Sequence, residues 1–283
     1  MRRRPAAREL EVEAAAGAAH PARGPSPPSE PLAMLIRRGL DPRRSRADLP
    51  FDPGLADDRL EVITSRLRHY GFRLFLRGAI LAPAGFLPSE ATRYLTAEQA
   101  RAMAEDCVGI GLAERRPRGR YRLLTRARTF GGTLEWWIAR ELRARLGVEV
   151  VTGVRSGARG VGGDLDLVGA VEGRLLYAEL KSGPPKHLSD AEVAAFLRRL
   201  RALRPDVALF VIDTALRLSD KVVPMFERAV SGGGAGGPTP RRVVRETWAL
   251  TPHLYLVNAK EDLVDNVCRA IAEGLRALAP TSP

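Results

Sequence analysis

"GGDLDLVGAVEGRLLYAELKSG", residues 162–183, decides the fold. Alternation on both sides of "VEGR" predicts an antiparallel hairpin with strands over 164–170 and 174–181. If Glu172-Gly173 is a two-residue turn, Asp166 faces Glu179 and Asp164 faces Lys181 on one side of the hairpin. Leu165 then faces Leu180, and Leu167 faces Ala178, on the other. A slip of one residue would put leucines opposite acids, so the apolar pattern fixes the parity. Glu-Gly is a weaker turn pair than Asn-Gly, and a longer loop of the same parity satisfies the pattern equally.

This register has an electrostatic consequence. Directly opposed side chains have Cβ atoms ~5 Å apart, where like charges repel. A divalent cation relieves the conflict, and two carboxylates plus a backbone carbonyl suit Mg²⁺, with Mn²⁺ able to substitute. Lys181 lies two residues beyond Glu179 and shares its face. An ammonium there can orient an attacking water and steady charge developing on a phosphate. The residue type is informative, because only four of the 45 basic residues are lysines (Lys181, Lys186, Lys221 and Lys260).

The flanks alternate in type. Helices are predicted over 133–146, 190–203, 217–229 and 261–278, with strands over 148–154, 207–213 and in "HLYLVN" (253–258). Residues 231–240, "SGGGAGGPTP", read as a flexible insertion. Together these make an α/β sandwich, a mixed sheet with helices on both faces, over 129–280. In the first helix Glu135, Ile138, Leu142 and Leu146 share a stripe, so the acid borders the buried face. A first-turn glutamate favoured by the helix dipole explains Glu135 equally well.

A Glu-bearing helix, an Asp strand and a strand with Glu-x-Lys resemble the PD-(D/E)XK nuclease superfamily, over roughly residues 130–214. The resemblance implies a restriction endonuclease-like fold and a Mg²⁺-dependent nuclease that hydrolyses phosphodiester bonds, DNA first, in repair or defence. It implies Asp166 and Glu179 as metal ligands with the Leu180 carbonyl, Lys181 serving the nucleophilic water, and Glu135 as the helical acid, with Glu141 as substitute. The Pro-Asp of the name is missing, since Leu165 precedes Asp166. Two competing readings stay open: a catalytically silent nucleic-acid-binding or regulatory protein, and an RNA-cleaving effector on the same scaffold.

Neighbouring segments could serve the same chemistry. "RSGARGVGG" (155–163) is a basic glycine-rich loop in which Arg155 and Arg159 could grip phosphate; a plain flexible turn is the alternative. No Gly-Lys-Ser/Thr follows, so it is not a Walker A loop. Ser189 and Glu192 form a capping box. Behind it Val193, Phe196, Leu197, Leu200 and Leu203 point inward and Arg198, Arg199, Arg201 and Arg204 outward, with no supporting polar residue identifiable on this helix. Lys186 and His187 stand close enough to contact phosphate, although His187 alone reads as structural.

Residues 1–50 are rich in Pro, Ala and Arg and read as a mostly unstructured tail. Residues 51–128 read as a winged helix-turn-helix-like domain. Helices are expected at 57–69, 72–82, in "LPSEATRYL" from Ser89, and behind a Thr96/Gln99 capping box, followed by a hairpin around Pro-Arg-Gly. Arg115, Arg116, Arg118 and Arg120 would meet phosphates there. The third helix exposes Glu98, Glu105 and Asp106 against Arg101, which suits protein contact as well as DNA docking.

The net charge of +12 suits an anionic partner, nucleic acid in particular, but its near-exclusive arginine composition makes charge weak support. Two cysteines, Cys107 and Cys268, exclude a disulfide framework, and four scattered histidines show no metal-ligand spacing. No apolar run reaches the ~18 residues of a membrane helix. A cytoplasmic protein is expected, with a second copy of the chain a possible partner.

Overall fold

Glu172 and Gly173 both take positive φ, 50° and 71°. This is the type I′ geometry whose twist matches two antiparallel strands, so the tight turn forms despite its Glu. The ladder follows the expected register from Val171↔Arg174 to Leu167↔Ala178.

The computed structural model describes residues 27–158, 160–232 and 237–278. In chain order the elements are α1 (Glu30–Arg37), β1 (Pro42–Arg44), α2 (Asp57–Arg68), α3 (Tyr70–Leu81), α4 (Pro88–Ala91), α5 (Ala97–Gly109), β2 (Ala113–Arg116), β3 (Arg120–Leu123), α6 (Gly131–Leu146), β4 (Glu149–Ser156), β5 (Asp164–Val171) and β6 (Arg174–Lys181). Then come α7 (Asp190–Leu203), β7 (Val207–Ile212), α8 (Val222–Ser231), β8 (Arg241–Val244), β9 (Thr247–Thr251), β10 (Leu254–Asn258) and α9 (Leu263–Leu278). Among the described residues no helix is long and apolar enough to cross a membrane.

The fold is mixed α/β. Eight strands form one sheet in the order β1-β4-β5-β6-β7-β10-β9-β8. The β6/β7 and β7/β10 pairs are parallel and the others antiparallel. Leu167, Leu176, Ala178, Leu209 and Val257 face one core with α6 and α9. Val168, Leu175, Tyr177, Phe210 and Leu256 face the other with α1, α7 and α8.

Several expectations need correction. Residues 27–50 are not an unstructured tail: Met34 and Leu35 bury against the second core, and β1 pairs with β4. The Ser45 hydroxyl donates to Gly153 O at 2.8 Å, and a Cβ on Gly153 would lie 2.8 Å from that hydroxyl. Residues 1–26 lie outside the described structure. The short helix expected from Ser89 starts at Pro88. The helix expected over 217–229 begins only at Val222; the Leu218 N–H is held by Glu246 instead. Of the insertion, residues 233–236 lie outside the described structure, and the segment leads into the β8–β9 hairpin, which sequence reading missed.

Residues 51–128 form three longer helices, the short α4 and a two-stranded hairpin, with the Thr96/Gln99 capping box in place. Their apolar side chains, Ile63, Phe75 and Cys107 among them, share one continuous core with α6 and the sheet. A buried ion pair crosses the same boundary. Arg73 of α3 donates through Nε and Nη2 to Asp213 just beyond β7, at 3.0 and 2.9 Å, and Arg77 adds a bond at 2.8 Å.

Candidate active site

The site begins where β5 and β6 part. The rungs after Leu167↔Ala178 would set Asp166 opposite Glu179 and Leu165 opposite Leu180, but neither forms, so the two acids are not the directly opposed pair that the register predicts. The Leu180 N–H instead donates to Asp166 Oδ2 at 2.7 Å. In a strand the N–H and C=O of one residue point to the same edge. Lys181 O faces β7, where it accepts from Asp213 N at 2.8 Å, so the Leu180 carbonyl opens toward β5 beside Asp166. The change of direction falls opposite Gly153, whose φ is 59°. It also corrects one expectation: Leu165 joins the second core, away from Leu167.

Glu179 is 5% exposed and has three donors. Lys181 Nζ lies 3.0 Å from Oε1. Arg199 Nη1 lies 2.8 Å from Oε2, which also accepts from the Tyr177 hydroxyl. Lys181 reaches Glu192 at 3.5 Å as well. Arg199 Nε donates to Val161 O and Gly162 O at 3.1 and 3.0 Å, tying the glycine-rich loop to the acid. Arg199 therefore corrects the expectation that it points outward and that α7 lacks a supporting polar residue. The signal was present, because Arg199 lies three residues past Phe196 and four before Leu203, on the inward stripe.

Asp164 does not face Lys181, another correction. It pairs with Arg155, its partner across β4 and β5, at 2.6 Å. Arg159 lies outside the described residues. Glu141 is buried between Arg68 and Arg145, at 2.8 and 2.7 Å, and is a structural ion-pair centre. Glu135 lies within reach of the charges of Asp166, Asp164 and Glu179. It sits beyond the first turn because α6 starts at Gly131, so the dipole explanation loses its footing. Leu146, expected on the same stripe, is 40% exposed.

The acids feel one another. Burial, then the Glu179 charge, pushes Asp166 up to about 7 against the pull of the Leu180 N–H, Lys181 and Arg199. Burial, then Asp166, Asp164 and Glu179, pushes Glu135 up to about 8. Burial alone would lower Lys181, but Glu179, Asp166 and Glu192 outweigh it and raise it, so the ammonium keeps its proton.

Raised acids destabilise the charged fold. Below the unfolded carboxyl value of ~4 both states are protonated and the effect vanishes. As pH climbs the unfolded chain sheds protons first, so stability falls until about 8. Glu135→Gln is thus expected to stabilise the metal-free protein by about 1–3 kcal/mol at pH 8.5 and to be near neutral at pH 4.5. Thermal melts in chelator across that range check it; a variant less stable than wild type at pH 8.5 contradicts it.

The donor set fits a hard cation. Asp166 Oδ1 has no hydrogen-bond partner among the described residues, Glu179 Oε1 keeps a lone pair, and the Leu180 carbonyl faces the same gap. Among the described residues no three His, Cys, Asp or Glu side chains stand close enough to hold a metal alone. Two carboxylates, a carbonyl and waters match Mg²⁺ better than a closed protein cage. A cleft of about 310 Å³ opens beside Lys181, lined also by Thr129, Gly131, Gly183, His187 and Glu192.

The hairpin arginines are mostly engaged. Arg115 pairs with Glu105, Arg116 with Glu114, and Arg120 donates to Gly85 O at 2.6 Å. Arg118 is exposed at the turn, and Lys186 is exposed beside the cleft. Arg198, Arg201 and Arg228, on α7 and α8, line a groove of about 490 Å³.

The chain resembles protein VC1899 from Vibrio cholerae. That crystal structure matches with a TM-score of 0.51 at 15% identity, over 85% of this chain and 61% of the other. Can2 from Sulfobacillus thermosulfidooxidans, solved with cyclic tetra-adenylate, overlaps with a TM-score of 0.47 at 12% identity, over 86% and 59%. The chain spans about three-fifths of the length of both. The likeness to VC1899 is one of fold. No family profile and no curated protein matches the sequence.

Proposed function

We propose that the chain is a divalent-metal-dependent nuclease of PD-(D/E)XK type, hydrolysing phosphodiester bonds with DNA as first-choice substrate. The observation that supports it best is that Asp166 and Glu179 act on one another where β5 and β6 part, with Glu135 within reach of their charge and Lys181 3.0 Å from Glu179 at a cleft. A cation held by Asp166, Glu179 and the Leu180 carbonyl would acidify a water and offset phosphate charge. Lys181, still protonated, donates rather than accepts: it orients the incoming water and meets the charge growing on phosphate oxygens. Arg199 and Tyr177 fix the Glu179 rotamer from behind, which keeps Oε1 directed at Lys181. Exposed arginines on α7 and α8 offer charge for an anionic strand.

A second reading, a silent nucleic-acid-binding protein, draws support from one feature: Lys181, Arg199 and Tyr177 already satisfy much of Glu179. One assay separates the two. Purified protein is incubated with supercoiled, linear and single-stranded DNA and with RNA, in Mg²⁺, Mn²⁺ or chelator. Cleavage that needs metal supports the nuclease; binding without cleavage of any substrate in either metal favours the silent protein. Cleavage confined to RNA would move the substrate and keep the chemistry.

A further inference from the structure

Beside the Lys181 cleft lies a second cavity of about 360 Å³ that the catalytic arrangement does not use. It is lined by Tyr70, Leu74, Arg77, Tyr94, Leu95 and Leu216, and Pro184 borders both spaces. We propose that this cavity is a nucleobase subsite, which takes an unpaired base of the strand whose phosphate lies at Lys181. The proposal deepens the nuclease reading and rests on it for the identity of the strand.

Three observations carry it. First, Tyr94 is 63% exposed and Leu216 60%, both at this cavity. Large apolar groups left in water at one concave site mark a place that something flat and apolar covers. Second, cations border that apolar surface: Arg77 in its wall and Arg93 against Tyr94. The Arg93 guanidinium lies 5.1 Å from the Tyr94 ring centre and donates to its hydroxyl at 3.0 Å. The Tyr94 hydroxyl is held below its usual value by Arg93 and, more weakly, by Lys186. An apolar slot with a positive rim suits a π-faced ligand carrying negative charge, which is a nucleotide and not a lipid or an apolar peptide. Third, Asp213, the acid in the wall, is neutralised by Arg73 and Arg77, so it does not repel a phosphate nearby.

A base inside a duplex cannot enter such a slot, so the subsite demands unpaired or splayed nucleotides. It would make the protein prefer single strands, loops or ends.

The test reads binding without catalysis. Short strands carrying 2-aminopurine, as DNA and as RNA, are titrated with the full chain in chelator, alongside the same sequence in duplex form. Fluorescence is expected to quench on binding, with single strands favoured over duplex and with adenosine monophosphate competing. Tyr94→Ala should weaken single-strand affinity about 5- to 100-fold, and Tyr94→Phe should keep it, because stacking needs the ring. The DNA and RNA arms say which strand supplies the base. Equal affinity for duplex, or no loss in Tyr94→Ala, overturns the proposal. So does a Tyr94→Ala chain whose mass in sedimentation changes while nucleotide affinity does not, since that marks a protein interface. Because no metal is present, absent cleavage would sink the nuclease reading and leave this result standing.

Discussion

Lys181→Ala should reduce metal-dependent cleavage about 100- to 1,000-fold while nucleic-acid affinity stays within about 3-fold of wild type, as expected when a single preorganised donor is lost. Single-turnover cleavage and fluorescence anisotropy measure the two quantities. The substitution is clean because Glu179 keeps Arg199 and Tyr177 as partners, so no buried carboxylate is orphaned. Glu179→Ala is the harsher companion, since it leaves Lys181 and Arg199 without their shared acceptor. Lys181→Arg should not restore the rate. A planar guanidinium cannot stand in for a compact ammonium held 3.0 Å from Glu179 and 3.5 Å from Glu192. Wild-type cleavage by Lys181→Ala would remove Lys181 from the chemistry.

Part of this site was legible because side chains alternate along a β-strand. Glu179 and Lys181 lie two residues apart on β6 and share a face whatever the pairing, whereas the rungs that parity set for the acids, Asp166 with Glu179 and Asp164 with Lys181, do not form. What parity could not show is where the ladder stops. The splay after Leu167↔Ala178 falls beside Gly153 of the neighbouring strand, whose φ is 59°, a tertiary feature without a signature inside the hairpin. It turned Asp164 to Arg155 and Asp166 to the Leu180 N–H.

Other misses have equally definite causes. Arg199 was assigned to solvent by residue type although its helical phase matched Phe196 and Leu203; a cation on an apolar stripe signals a buried anion. β1 is a three-residue edge strand, Pro-Arg-Arg, with no alternation to read, and its backbone partner in β4 supplies the reason it forms. The β8–β9 hairpin was hidden by the glycine run before it, which read as a flexible insertion leading straight to the 253–258 strand. The +12 charge was the least informative feature, because many arginines turn out to be neutralised locally, Arg115 and Arg116 of the hairpin among them.

The same logic makes Asp213→Ala the most damaging change outside the catalytic acids. Asp213 is 1% exposed and accepts from Arg73 through two nitrogens and from Arg77 through one. Removing it leaves Arg73, itself 1% exposed, as an uncompensated buried cation. Such losses cost about 3–5 kcal/mol, a large share of the roughly 5–15 kcal/mol that holds a domain folded. Arg73 cannot turn away, because Nη1 also donates to Leu67 O and Arg68 O at the end of α2, and its guanidinium lies 4.8 Å from the Trp137 ring centre. An isosteric apolar pair, Arg73→Met with Asp213→Leu, should recover part of the loss but not all, since those two carbonyls stay unsatisfied. The damage should also reach the active site, because the Asp213 N–H donates to the carbonyl of Lys181. Denaturant unfolding of the two single variants and the double variant gives the coupling energy, and cleavage by the folded fraction gives the functional effect. A coupling near zero would mean that the helices and the sheet are joined by their shared apolar core alone.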